Sequence, residues 1–216
     1  MVPMQILERS LDGLAAVASR LATGGERRIL GIAGPPGAGK STLAEALSAA
    51  LGPDTAVVVA MDGFHLANRV LDMLGYRERK GAPETFDDGG YAALLRRLRL
   101  QGPGEPIIYA PEFRRDLEEP VGSAVPVRCD VPLLITEGNY LLLPTRAWPQ
   151  ARSQLDTVWY EELEEAERIR RLTDRHAAYG KSPADAAAWA AGSDQANAEL
   201  VAAYASKADA VVRLVP

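Results

Sequence analysis

Cysteine is nearly missing from this chain. Its one copy, Cys129, can form no intrachain disulfide and builds no cysteine zinc site, and in an extended-looking stretch it reads as core filling. No apolar run reaches the roughly 18 residues that cross a membrane, so no membrane partner is expected. The N-terminus lacks a secretory pattern, because Glu8, Arg9 and Asp12 interrupt its apolar residues. A cytoplasmic location is the expectation these absences leave. An excess of basic charge is missing too: the formal net charge is −5, which speaks against a chain whose main work is binding nucleic acid. There is no internal repeat and no N-K-x-D segment of the kind that reads guanine. What is present, 216 residues with 47% hydrophobic and 25% charged content, suits one soluble α/β domain able to bury its own core.

Apolar runs alternate with helical patterns along most of the length. Ile6, Leu7, Leu11, Leu14, Ala15, Val17, Ala18 and Leu21 recur at helical spacing. They predict a first helix that ends near Thr23-Gly24-Gly25, where glycine suits a left-handed cap. Apolar runs at 28–33, 55–61, 131–136, 155–160 and 208–215 read as strands, the continuous ones buried on both faces. Helices are predicted at 40–51, 66–74, 91–100, 163–179, 183–192 and 194–206. Such alternation implies a three-layer α/β fold, a mainly parallel sheet with helices on both faces, here as a single domain over 1–216. Residues 75–127 break the rhythm, with only 106–110 and 124–128 looking extended. A long irregular span inside a compact domain is usually functional or mobile, and this one reads as the region for an acceptor substrate. Alanine-rich helices at 184–191 and 196–205 pack internally or on a second copy, so a homodimer stays open.

Gly34-Pro35-Pro36-Gly37-Ala38-Gly39-Lys40-Ser41, followed by Thr42, sits between a predicted strand and a predicted helix. This is a G-x-x-x-x-G-K-S phosphate loop in the context the motif requires. A chain of this length matches the pattern by chance roughly once in a hundred, from average residue usage. The glycines let backbone N–H groups turn toward a triphosphate at a helix N-terminus. Lys40 reaches the β- and γ-phosphates of ATP, and Ser41 offers a hydroxyl to Mg²⁺. Asp62, in Met61-Asp62-Gly63-Phe64-His65, follows the next strand, at the edge where ligands of parallel sheets bind. A carboxylate there can orient an acceptor hydroxyl and take its proton; an aspartate that merely shapes the turn before Gly63 is the other reading. Glu137 ends a buried strand, as a metal-binding acid or as a capping glutamate.

These residues, with Gly81-Ala82-Pro83-Glu84-Thr85-Phe86-Asp87 and Glu137-Gly138-Asn139-Tyr140-Leu141, resemble the pantothenate kinase, uridine kinase and phosphoribulokinase superfamily. The E-G-N-Y-L-L form is most similar to a bacterial nucleoside/nucleotide kinase branch associated with fructose transport. The resemblance implies phosphoryl transfer from MgATP to a hydroxyl of a small molecule, with Asp62 as base. It further implies a mobile arginine-bearing lid, placed here at about 161–182. Arg168, Arg171 and Arg175 share a helix face at spacings of three and four, and Arg168 and Arg171 are assigned to catalysis over the transferring phosphoryl. The same stretch, with Glu161, Glu162, Glu164, Glu165 and Glu167 upstream, also reads as a salt-bridged surface helix. Arg115 holds a polar or anionic substrate group, or pairs with Glu118 and Glu119. His65 and Tyr140 are assigned to the substrate, with Tyr76 and Phe86 as further pocket walls or core residues. A sugar or nucleoside is the expected acceptor and pantothenate the alternative. A GTPase-like switch and a non-catalytic ATP-binding regulator are the readings of another class.

Overall fold

The computed structural model describes residues 5–180 and 182–215; Lys181, within the span read as a lid, lies outside them. Strands are β1 (Gln5–Arg9), β2 (Arg28–Ala33), β3 (Ala56–Val58), β4 (Ile108–Arg114), β5 (Glu119–Val127), β6 (Leu133–Gly138), β7 (Thr157–Glu161) and β8 (Ala210–Leu214). Helices are α1 (Leu11–Leu21), α2 (Lys40–Leu51), α3 (Asn68–Leu74), α4 (Asp88–Leu100), α5 (Trp148–Arg152), α6 (Glu165–Ala178), α7 (Pro183–Ala191) and α8 (Ser193–Ala202). The main sheet runs β1-β8-β7-β2-β6-β3 and every pairing in it is parallel. β4 and β5 form a separate antiparallel hairpin.

Alternation along the central strands makes the three layers. In β2, Ile29 and Ala33 join one core while Leu30 and Ile32 join the other. β6 does the same, with Leu134 on the first side and Leu133 and Ile135 on the second. A strand that feeds two cores is apolar at every position, which is why these runs are continuous rather than alternating. α1 and α2 cover one face with Leu14, Ala18, Leu43 and Leu47; α4, α5 and α8 cover the other with Tyr91, Leu95, Trp148 and Val201.

Four sequence expectations change. Ile6 and Leu7 belong to β1, and the helix begins only after Ser10, whose hydroxyl accepts from the Gly13 N–H. The strand expected at 55–61 closes at Val58, and the chain turns through a 3₁₀ segment at Met61–Phe64. Residues 75–127 are far from irregular: they hold α4, packed into the core, and the hairpin, which lies against that 3₁₀ segment. Cys129 is half-buried in a turn, not in a strand.

Asp156 locks the start of β7 to its neighbours. Its carboxylate accepts the Ile29 N–H at 2.8 Å, Arg28 at 2.8 Å and Arg99 at 2.6 Å. Burial pushes its pKa up, but these donors overcome that and hold it below the ordinary value. A depressed carboxylate stabilises the fold above its unfolded pKa of about 3.9 and loses that contribution as pH falls through its folded value. Asp156→Asn is therefore expected to cost about 1.5–3 kcal/mol at neutral pH. Thermal unfolding measured against pH should show the gap from the wild type closing below about pH 4.

Candidate active site

β2 has β6 on one side and β7 on the other, so chain connections leave it in both directions and a crevice opens at its C-terminal end. The phosphate loop occupies that crevice. Gly37 and Gly39 have φ of +82° and +115°, in the region that disfavours side chains, and both are closely approached. A Cβ on Gly37 would stand 2.7 Å from Leu172 Cγ and 3.0 Å from the Arg168 carbonyl, and one on Gly39 would stand 3.0 Å from Glu161 Oε1. α2 begins at Lys40, so its unpaired N–H groups and positive dipole end point into the loop.

Lys40 is buried, with Nζ donating to the Pro35 carbonyl at 3.0 Å. Burial pushes its pKa down, while Glu137, Asp62 and Glu161 pull it back. Ser41 donates to Glu137 Oε1 at 3.0 Å. Glu137 is 3% exposed, and burial together with the charge of Asp62 pushes its pKa up to about 7. Among the described residues no group of three or more His, Cys, Asp or Glu side chains could cage a metal. The Ser41–Glu137 pair instead suits Mg²⁺, which keeps waters and is held by one or two protein groups together with phosphate oxygens. A buried carboxylate beside a second carboxylate is also stabilised by a cation.

Asp62 stands on the 3₁₀ segment beyond β3. Its neighbour Gly63 lets the hairpin lie directly on the turn, since a Cβ there would come within 2.6 Å of the Pro111 carbonyl. Arg115, delivered by the hairpin, approaches Asp62 Oδ2 at 3.5 Å. Burial pushes Asp62 up, yet His65, Arg115, Lys40 and Arg175 outweigh it and hold the carboxyl below its ordinary value. His65 Nδ1 lies 2.8 Å from the Asp62 carbonyl, and its ring packs against Phe86 and Phe113 with centroids 4.0 and 4.7 Å away. Burial lowers the His65 pKa. A carbonyl only accepts, so Nδ1 carries a proton.

A cleft of about 420 Å³ joins these groups, with Lys40, Ser41, Asp62, His65, Arg115 and Glu137 on its walls. That volume is in the range of small-molecule sites. A smaller hollow outside the loop is lined by Gly39, Thr42, Arg115, Arg171 and Arg175. Two expected site residues are placed elsewhere. Tyr140 is fully buried against Phe86 and Trp148 with its hydroxyl on the Gly81 carbonyl, and its neighbour Asn139 faces the cleft instead. Arg168 is 3% exposed and pinned, donating to the Pro36 carbonyl at 3.3 Å and to Gln195 Oε1. Its half of α6 is packed onto the phosphate loop. Arg171 is exposed and bonded to Glu167 at 2.8 Å, on the outer hollow. Arg175, one turn further on, borders both the hollow and the cleft and has no ion pair among the described residues. Arg115 pairs with neither Glu118 nor Glu119; Glu119 accepts the Asn68 N–H.

Glu161, Asp194 and Asn197 are buried polar residues near or on the cleft that local reasoning passed over. Glu161 sat inside an acidic run, and the signal for the other two was a polar pair spaced by three at the start of a helix.

The sequence model of the phosphoribulokinase/uridine kinase family matches residues 29–216. The chain is 34% identical over 179 residues to a Schizosaccharomyces pombe protein named "Putative uridine kinase C227.14", covering 79% of this chain and 75% of that one. It is 34% identical over 192 residues to the uncharacterized protein YggC of Escherichia coli, covering 87% and 78%. The crystal structure of a "putative fructose transport system kinase" from Silicibacter sp. TM1040 superposes with a TM-score of 0.81 at 35% identity, covering 95% of this chain and 99% of that one. With the phosphate loop, the parallel sheet and the match over most of its length, the chain belongs to the phosphoribulokinase/uridine kinase family.

Proposed function

We propose that this chain transfers the γ-phosphoryl group of MgATP to a hydroxyl of a small molecule, a sugar or a nucleoside. One observation supports the reading: Asp62, whose cationic neighbours hold its pKa below the ordinary value, lines the same cleft as Lys40 and the Ser41–Glu137 pair. In this reading Lys40 leaves the Pro35 carbonyl and holds β- and γ-phosphate oxygens. Ser41 and Glu137 would hold Mg²⁺, which would supply charge neutralisation for the triphosphate. Asp62 orients the acceptor hydroxyl and takes its proton as the new O–P bond forms and the bond to the β-phosphate oxygen breaks. Arg115 and Arg175, bordering both cavities, stabilise the negative charge of the group in flight. Arg168 supports the loop from behind.

MgATP turnover on a panel of sugars, nucleosides and pantothenate, with Lys40→Ala as the blank, tests the reading. Asp62→Asn is expected to lower kcat by about 10²–10⁴-fold on the best acceptor. Unchanged turnover on every acceptor would remove Asp62 from the mechanism. The two arginines should separate. Arg168→Ala is expected to lower Tm by about 3–8 °C, as loss of a buried hydrogen-bonded charge does. Arg175→Ala should leave Tm within about 1 °C, since it forms no ion pair, and lower kcat by about 10²–10³-fold. Paired melting curves and steady-state kinetics check both.

A further inference from the structure

Most buried polar side chains in the described residues are answered by the chain itself. Thr85 bonds to Gly81 and Ala82, Asp88 to Arg146 and Ala147, Gln101 to Arg27 and Pro106, and Thr136 to Tyr91 and Val59. Lys40 and Glu137 are used by the transfer site. Asp194 and Asn197, one turn apart on α8, are different. They are 9% and 7% exposed, and both line the cleft.

Each keeps unused hydrogen-bonding capacity. Asp194 Oδ2 accepts His176 Nε2–H at 2.7 Å, while Oδ1 accepts from no described residue. Asn197 makes one long bond, Nδ2 to the Gly81 carbonyl at 3.4 Å, onto an oxygen that already accepts the Tyr140 hydroxyl. Its amide oxygen accepts from no described residue. These oxygens are not sealed off but open onto the cleft, so a carboxylate oxygen and an amide oxygen lining one cavity are free to accept from a ligand that supplies donors.

The charges nearby decide its class. Three of the cations on the cleft already have partners: Lys80 donates to Asn68 Oδ1 at 2.7 Å and to the Glu118 carbonyl, Arg77 lies 3.9 Å from Asp72, and Arg115 faces Asp62 on the transfer side. Arg175 is the exception, and it borders the phosphate side as well. The Asp194 carboxylate, meanwhile, repels a carboxylate or phosphate. Hydroxyl groups fit, because each donates one hydrogen bond and two adjacent ones can span a carboxylate and an amide.

We infer that Asp194 and Asn197 form the acceptor-recognition subsite, binding adjacent hydroxyls of a neutral polyol such as a sugar or the ribose of a nucleoside. Asp194 Oδ1 and the Asn197 amide take the hydroxyls, Asn139 lines the same cleft, and His176 on α6 holds Asp194 in orientation. Asp194 and Asn197 are thus positioning and specificity residues, not catalytic ones. The inference rests on the kinase reading above, and it adds that selectivity comes from α8 as well as from residues 75–127.

Ligand-observed NMR titration of the full chain with D-fructose, D-ribose, uridine and pantothenate, run beside MgATP turnover, tests it. At least one neutral polyol is expected to bind. Asp194→Asn and Asn197→Ala should each weaken that polyol and raise its KM by at least about tenfold, the loss of one hydrogen bond to or from a desolvated group. The KM for MgATP should move less than about twofold in both. His176→Asn should give a smaller loss, because the carboxylate remains. The subsite is overturned if no polyol binds, if pantothenate alone binds, or if the acceptor KM is unchanged. It is also overturned if both KM values move together, which would mean that α8 merely braces α6. Asp194-dependent binding of a polyol with no ADP release would sink the kinase reading and leave the subsite standing. Turnover of a polyol with Asp194→Asn unaffected would do the reverse. Should Asp194→Asn fail to fold, Asn197→Ala carries the same comparison.

Discussion

Three charged groups that could not be buried singly are buried together at one edge of the sheet, with a fourth half-buried beside them. Lys40 follows β2, Glu137 ends β6, Glu161 ends β7 and Asp62 follows β3. Removing one such charge from water costs several kcal/mol unless it is paired. Here the ammonium lies among three carboxylates that pull its pKa back up, and it offsets the cost for each of them. Parallel pairing is what makes this meeting possible, since it brings the C-terminal ends of four strands side by side. The cluster is unfinished as a purely structural device. Glu161 Oε2 has no partner, and burial pushes both Glu161 and Glu137 up to about 7. An arriving phosphate with its cation would rebalance exactly these groups, so the same constraint that shapes the fold prepares the site.

The arginine helix does two jobs along its length. Its first turns are fixed to the phosphate loop by Arg168 and by Leu172 against Gly37. Its later turns carry Arg175 to the cleft and His176 to Asp194 on α8. A helix anchored at one end and engaged with the cavity at the other can pass a change at the loop to the far wall of the cleft through packed contacts. Two surfaces of different chemistry therefore meet at Asp62: cationic groups on the phosphate side, and amide and carboxylate groups on α8.

How much of this was legible depends on how local each signal is. β2 and α2 follow the sequence to the residue, because a two-faced strand must be apolar throughout and the glycine loop marks both boundaries. Lys40, Ser41, Asp62 and Glu137, which line one cleft, were readable as candidate site residues because each sits at or just beyond the end of a strand that announces itself. β1 was not readable. Ile6 and Leu7 fit a helical period with Leu11 and Leu14, and only pairing with β8 from the other end of the chain makes them a strand. α5 spans five residues, too few for any period to show. Helical spacing put Arg168, Arg171 and Arg175 on one face but could not say which part of that face meets the loop and which borders the cleft. Asp194 and Asn197 reach the cleft only through tertiary folding; their spacing by three puts them on one helix face but does not say that this face meets the cleft.

The central claim is that one cleft brings a nucleotide phosphate and an acceptor hydroxyl together at Asp62. Its most direct test is to follow the label from γ-³²P ATP in the presence of the best-bound polyol and count ADP, inorganic phosphate and phosphorylated polyol together. The account predicts that label appears on the polyol in a one-to-one ratio with ADP. ADP accompanied only by free phosphate, with the polyol bound but unlabelled, would contradict it and make the chain a nucleotide hydrolase or switch.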